Sequence, residues 1–109
     1  MAAILKNKVV KQVGTIPVKI FEMDASTRAT IIGMSIANLT DTNVFISVLV
    51  QDDTSVTGYY LKDIPVPTNT SLRALNGGEK LIVAPSNTIY VQSDVDDSVD
   101  VIVSYAEIV

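Results

Sequence analysis

The chain has 109 residues, 8 Lys+Arg against 12 Asp+Glu, a net charge of -4, and no His, Cys or Trp. That is enough chain for one domain around one core, and it lacks the basic footprint of a nucleic-acid-binding module. Without His or Cys there is no zinc site of the usual kind, no thiol nucleophile, no disulfide and no Ser-His-Asp triad.

Val (16), Ile (12) and Thr (10) together supply 38 of the residues. All three are branched at Cβ, stiff at χ1 and favoured on a pleated surface, so an all-β fold is expected. No run of eighteen apolar residues exists to span a membrane. Met1 to Lys6 does not read as a secretory signal, because the charge follows a short apolar start and no long apolar region comes next. The expectation is a protein that stays in the cytosol of the cell that makes it.

Residues 1–13 are basic and irregular. Lys6, Lys8 and Lys11 fall there and Lys19 follows, so half of the positive charge lies in the first nineteen residues. Val9, Val10 and Val13 lie among these lysines, and a freely solvated tail has no need of them. The segment is therefore expected either as an arm that lies along a neighbouring subunit or as the first edge strand of the domain that occupies 14–109. Elsewhere four basic residues face twelve acidic ones, so an identical neighbour offers an acidic target.

Gly14 and Pro17 mark a turn, and Val18 to Met23 reads as a strand. After the polar turn 24–27, the stretch 28–38 alternates. Thr30, Ile32, Met34 and Ile36 are expected on one face, and Ile31, Gly33, Ser35 and Ala37 on the other. Val44 to Val50 is apolar on both faces, which predicts a central strand or one beneath an interface. Gly58 to Ile64 is another strand, ended by Pro65 and Pro67. Thr70 to Leu75 is short and half-buried, and Asn76-Gly77-Gly78 reads as a hairpin turn. Lys80 to Ala84 and Thr88 to Ser93 are strands, followed by an acidic loop at 94–97. In the final strand Val99, Val101, Val103 and Tyr105 share one face. Eight or so short strands with regular turns predict an antiparallel β-sandwich or jelly roll with a basic N-terminal arm.

Candidate chemistry is sparse. Asp94, Asp96, Asp97 and Asp100 have the hard oxygens that Ca²⁺ takes, but not the glycine and glutamate spacing of an EF-hand loop, so no metal site is assigned. Asn76 to Lys80 lacks the spacing of a phosphate loop. No catalytic residue, cofactor or enzymatic activity is expected. Tyr59 and Tyr60 are adjacent in a strand and must face opposite sides, so one belongs to the core and the other is a candidate contact residue.

The runs Gly58 to Pro67, Thr70 to Leu81 and Asp94 to Val109 resemble small virion proteins of tailed bacteriophages, most of all those of marine or cyanobacterial phages. The likeness extends over about residues 28–109. It implies a β-sandwich or jelly-roll module of the virion: a capsid decoration (cement) protein that binds across major capsid subunits. A tail, baseplate or fibre component, or a receptor- or glycan-binding module, is the alternative. The implied partners are the major capsid protein or other virion proteins, and further copies of the chain, with a trimer favoured. No nucleic acid or membrane partner is implied. The partner-binding residues expected from the sequence are Lys6, Lys8, Val9, Val10, Lys11, Val13, Tyr59 and Tyr60.

Overall fold

The computed structural model describes residues 3–75 and 80–108. Among them are nine strands: β1 (Ala3–Val13), β2 (Val18–Glu22), β3 (Arg28–Asn38), β4 (Val44–Gln51), β5 (Thr57–Val66), β6 (Ser71–Arg73), β7 (Leu81–Val83), β8 (Thr88–Ser93) and β9 (Val99–Ile108). Every pairing is antiparallel. One sheet runs β1-β9-β3-β6, with β7 also on β3, and the other runs β2-β8-β4-β5. Strands therefore cross repeatedly between the two sheets, which is the winding of a jelly roll and agrees with the sequence expectation.

β6 and β7 act as a single edge strand. Ser35 to Ala37 pair with Arg73 to Ser71, and Ala29 to Ile31 pair with Val83 to Leu81. The predicted Asn76-Gly77-Gly78 turn lies outside the described residues. Its flanks, however, are collinear neighbours of β3 and not the paired arms of a hairpin.

The core lies between the sheets and is built mostly from β-branched side chains. Val99, Val101 and Val103 of β9, Val44, Ile46 and Val48 of β4, and Ile89 and Val91 of β8 are fully buried. A strand whose alternate residues are Val or Ile buries them all on one face, which is the period-2 pattern read in β9. β4 is central in its sheet, between β8 and β5, as its two apolar faces predict.

β3 departs from simple alternation. Ile31 pairs with Tyr105 and Gly33 pairs with Ser104, so Ile32 is an extra residue at a bulge. Beyond the bulge the two faces exchange. Ala29, Ile31, Met34 and Ile36 point into the core, and Ile32 is exposed. The expected partition, with Ile32 beside Met34 and Ile36, is thus corrected: a one-residue slip moves every later side chain to the other face.

One end of the sandwich is closed by polar side chains. Asn38 is buried, and its Nδ2 donates to the carbonyls of Thr42 (2.8 Å) and Val66 (3.0 Å). Its Oδ1 accepts from the backbone and hydroxyl of Thr40, both at 2.8 Å. At the β1–β2 corner the chain passes close to the acidic loop. A Cβ on Gly14 would meet Asp96 Cα and Oδ1 at 3.1 Å, so only glycine makes this approach without displacing the loop.

Candidate functional site

Residues 3–13 form an edge strand in the chain on its own, paired along β9 from Ala3↔Ile108 to Val13↔Val99. Of the two sequence readings of this segment, the structure displays the edge strand. Its six candidate contact residues separate by environment. Val13 is fully buried and anchors the strand in the core, and Val10 is half-buried against it. Lys6, Lys8, Val9 and Lys11 are exposed.

A bulge accompanies this change. Between Val10 and Val13 the register shifts and Gln12 has φ 56°. Asp100 Oδ1 accepts the Gln12 N–H at 2.9 Å, which holds the irregular backbone in place. Cross-strand partners share a face, so Lys8 beside Val103 and Lys6 beside Tyr105 stand on the core side of the sheet. They are nevertheless in water, because β2 is too short to cover that corner. Lys6 Nζ reaches Glu107 Oε1 at 3.1 Å. Among the described residues Lys8 and Lys11 have no ion-pair partner.

The opposite face of the same sheet is uncovered along its whole width. Val9 of β1 stands beside Ile102 of β9, which stands beside Ser35 of β3. Val9 (57% exposed), Ile102 (48%), Ile32 (48%) and Ile82 (61%) put four branched aliphatic side chains into solvent there. Gly33, Ser35 and Ser104 lie between them and leave a shallow depression bordered by Arg73. On the described strands of this face Asp100 is the one carboxylate. Arg28 and Arg73 stand at its margins, so the rim is net basic while the chain as a whole is acidic.

Sequence reading missed this face because its apolar residues are spread over four strands, one or two to each. Within any single strand they look like ordinary scattered surface residues. The signal was present in Ile102, which breaks the polar side of an otherwise clean alternation in β9.

The two tyrosines divide as expected. Tyr60 packs against the core and Tyr59 is exposed, with the Lys62 ammonium 5.2 Å from its ring centroid. They lie on β5, at the far edge of the other sheet, whereas β1 contacts β2 and β8. The structure therefore does not gather the predicted contact residues into one site.

The acidic loop serves the fold directly. Asp94 Oδ1 accepts the Phe45 N–H at 2.9 Å. Asp96 Oδ1 accepts the Thr15 hydroxyl at 2.9 Å and its N–H at 3.3 Å. With Asp100 on Gln12, three carboxylates from one loop and strand start clamp three other segments of backbone. Among the described residues no group of three or more acidic side chains is arranged to hold a metal ion.

No protein-family model matches the chain, and no curated protein matches it in sequence. Solved structures do resemble it. One is a chain from the disulfide-linked pili of Bacillus endospore appendages, with a TM-score of 0.57 and 9% identity over 96% of this chain and 86% of that one. Another is a chain of the T13 viral particle of IBDV, with a TM-score of 0.59 and 8% identity over 96% of this chain. The present chain spans 30% of that capsid chain's length. What is shared at these identities is the fold: a two-sheet antiparallel sandwich that recurs in appendage and capsid chains.

Proposed function

We propose that the chain is a structural subunit of a virus particle, and specifically a decoration protein on the head of a tailed bacteriophage. It binds across major capsid subunits and associates there with its own copies as a trimer. It works in the virion after assembly in the host cytoplasm, and it uses no cofactor and catalyses no reaction.

The observation that carries this reading is the outer face of the β1-β9-β3 sheet. Val9, Ile32, Ile82 and Ile102 stand uncovered on it around small residues, within a basic rim. An exposed apolar surface ringed by polar groups is the signature of a protein interface. The major capsid protein is the partner that face is assigned. β1 adds a second contact, being open on both faces and along one backbone edge. Binding the assembled shell, and not its dissociated subunits, stabilises the shell by mass action. The resemblance of residues 28–109 to phage virion proteins, and the recurrence of the fold in capsid and appendage chains, support the same reading. The chain has no cysteine, so its contacts must be non-covalent or of a chemistry other than the disulfide links named for the Bacillus pili.

The test is co-sedimentation of the pure protein with expanded, undecorated heads of the phage that encodes it. The expected result is saturable pelleting that Ile102→Lys abolishes while leaving the protein folded. A folded wild-type protein that stays in the supernatant at every head concentration overturns the proposal.

A further inference from the structure

The outer face of the other sheet, β2-β8-β4-β5, carries a depression of different character. It has a volume of about 340 Å³, at the lower end of the range for small-ligand sites. Its floor is Ser47 and Gln92, from the two central strands, and its ends are aromatic. Phe45 is 44% exposed and Tyr59 53% exposed. Tyr59 is the cross-strand partner of Leu49, four residues along β4 from Phe45. At the rise of an antiparallel strand the two residues are therefore offset by roughly 13 Å along the strand direction.

The polar wall is produced by a bulge. Ile46 pairs with Ile64 and Val48 with Leu61, so Ser47 alone faces both Lys62 and Asp63. Asp63 takes φ 51°, in the left-handed region, and the buried Ser47 Oγ accepts its N–H at 3.0 Å. A regular strand would send Lys62 and Asp63 to opposite faces. The bulge brings both to the rim of the same depression, a re-aiming that bulges commonly perform. Conformations of this kind cost energy and persist where the surroundings enforce them.

Open valences point into this space. Among the described residues the Asp63 carboxylate has no hydrogen-bond or ion-pair partner. Asp94 uses Oδ1 on the Phe45 N–H and keeps Oδ2. Gln92 gives its Nε2 to the Thr15 carbonyl at 2.9 Å and keeps Oε1. Lys62 supplies a donor beside the Tyr59 ring.

We infer that this depression is a binding site for a short neutral saccharide, one ring held against Tyr59 and its hydroxyls shared among Lys62, Asp63, Gln92 and Asp94. A sugar ring presents a C–H face to an aromatic side chain and a dense edge of hydroxyls, each able to donate and accept. That matches an aromatic end wall next to mixed donors and acceptors. Two carboxylates against one ammonium make the lining net negative, which selects against sialylated, sulfated or phosphorylated glycans. The site lies on the sheet facing away from the proposed capsid-binding face, so it remains available on an assembled particle and does not depend on that reading.

The test is an amide chemical-shift titration of the full chain with a panel of neutral oligosaccharides built on glucose, galactose, mannose and N-acetylglucosamine, with sialyllactose and a heparin fragment alongside. The expected result is saturable shifts confined to Ser47, Lys62, Asp63, Gln92 and Asp94 with one or more neutral members. Tyr59→Ala and Asp63→Asn should each weaken that binding about tenfold or more, and Ile102→Lys on the opposite face should leave it unchanged. No shift with any neutral saccharide at millimolar concentration, binding of the charged members alone, or wild-type binding by both Tyr59→Ala and Asp63→Asn would each overturn the inference.

Discussion

Asn38 shows how much a single polar side chain can hold in an otherwise aliphatic core. Its amide NH2 serves two carbonyls and its oxygen two donors, and these groups come from the β3–β4 connection and the end of β5. Asn38→Leu fills the same space but strands the Val66 carbonyl away from water. The expected cost is about 1–3 kcal/mol, read as a fall in melting temperature of roughly 5–15 °C. Exposed acids act on a smaller scale. The hydroxyl and backbone N–H of Thr54 hold the Asp52 carboxyl below its ordinary value of 3.8. The backbone N–H of Ser26, with hydroxyls from Thr27 and Ser26, does the same for Asp24. A carboxyl whose folded value lies below its unfolded one supports the fold fully above the unfolded value, and loses that support as pH falls through the folded one. Side-chain carbon shifts recorded between pH 5 and pH 2 should therefore show Asp24 and Asp52 retaining charge below pH 3.8. The 52–57 turn should loosen only after Asp52 protonates, and the 24–27 turn only after Asp24 does.

Strand β1 is an element held chiefly by its ladder. It exposes both faces from Ala3 to Val9, and only its last turn of pleat, at Val10 and Val13, reaches the core. Removing residues 1–8 should leave a folded protein with a melting temperature within a few degrees of the parent, and should reduce incorporation into particles. Removing residues 1–13 also deletes a fully buried valine, worth about 1.5–3 kcal/mol in itself, and should lower the melting temperature severely. Amide exchange should be fast at Leu5 to Lys8 and slow at Val101 to Val103, since local opening follows the density of buried contacts.

The same contrast explains which elements were legible beforehand. Where a strand alternates without interruption, as in β9, period and burial coincide and the core can be read directly. In β3 one inserted residue, and in β5 two, change which side chains face outward, and no residue type at Ile32, Tyr60 or Asp63 announces it. That Tyr59 and Tyr60 differ in environment followed from adjacency; that Tyr60 is the one packed against the core did not, since a second bulge of β5 lies at Tyr60. The apolar face of the first sheet did not, because it arises from register across four strands that are distant in sequence.

At the scale of the whole molecule, the two sheets differ in what they offer. One presents an apolar face with a basic rim, and the other a polar, aromatic depression with acidic edges. With the first face on the capsid and the second left open, contacts between copies fall to β1, whose outer backbone edge is unpaired. A contact of β1 with a different surface of the next copy is head-to-tail, which closes into a ring or runs on as a filament. The proposed trimer is a ring of this heterologous kind. Sedimentation of concentrated protein should show a trimer that is lost on removal of residues 1–8 and kept in Ile102→Lys, and added salt should weaken it without abolishing it, because the lysines of β1 are screened and its apolar side chains are not. The order of strands in the first sheet also bears on how the protein comes into being. β9 lies between β1 and β3, yet it is synthesised about ninety residues after the first and sixty after the second. Until it emerges, two long strands have no neighbour on the side where the sheet must be completed. Folding is therefore delayed until nearly all of the chain has been made. During translation the nascent polypeptide displays open, β-branched edges to every other copy growing on the same message. Lysines spaced along β1 would keep those edges from pairing with one another, since like charges meet wherever two copies of the strand align.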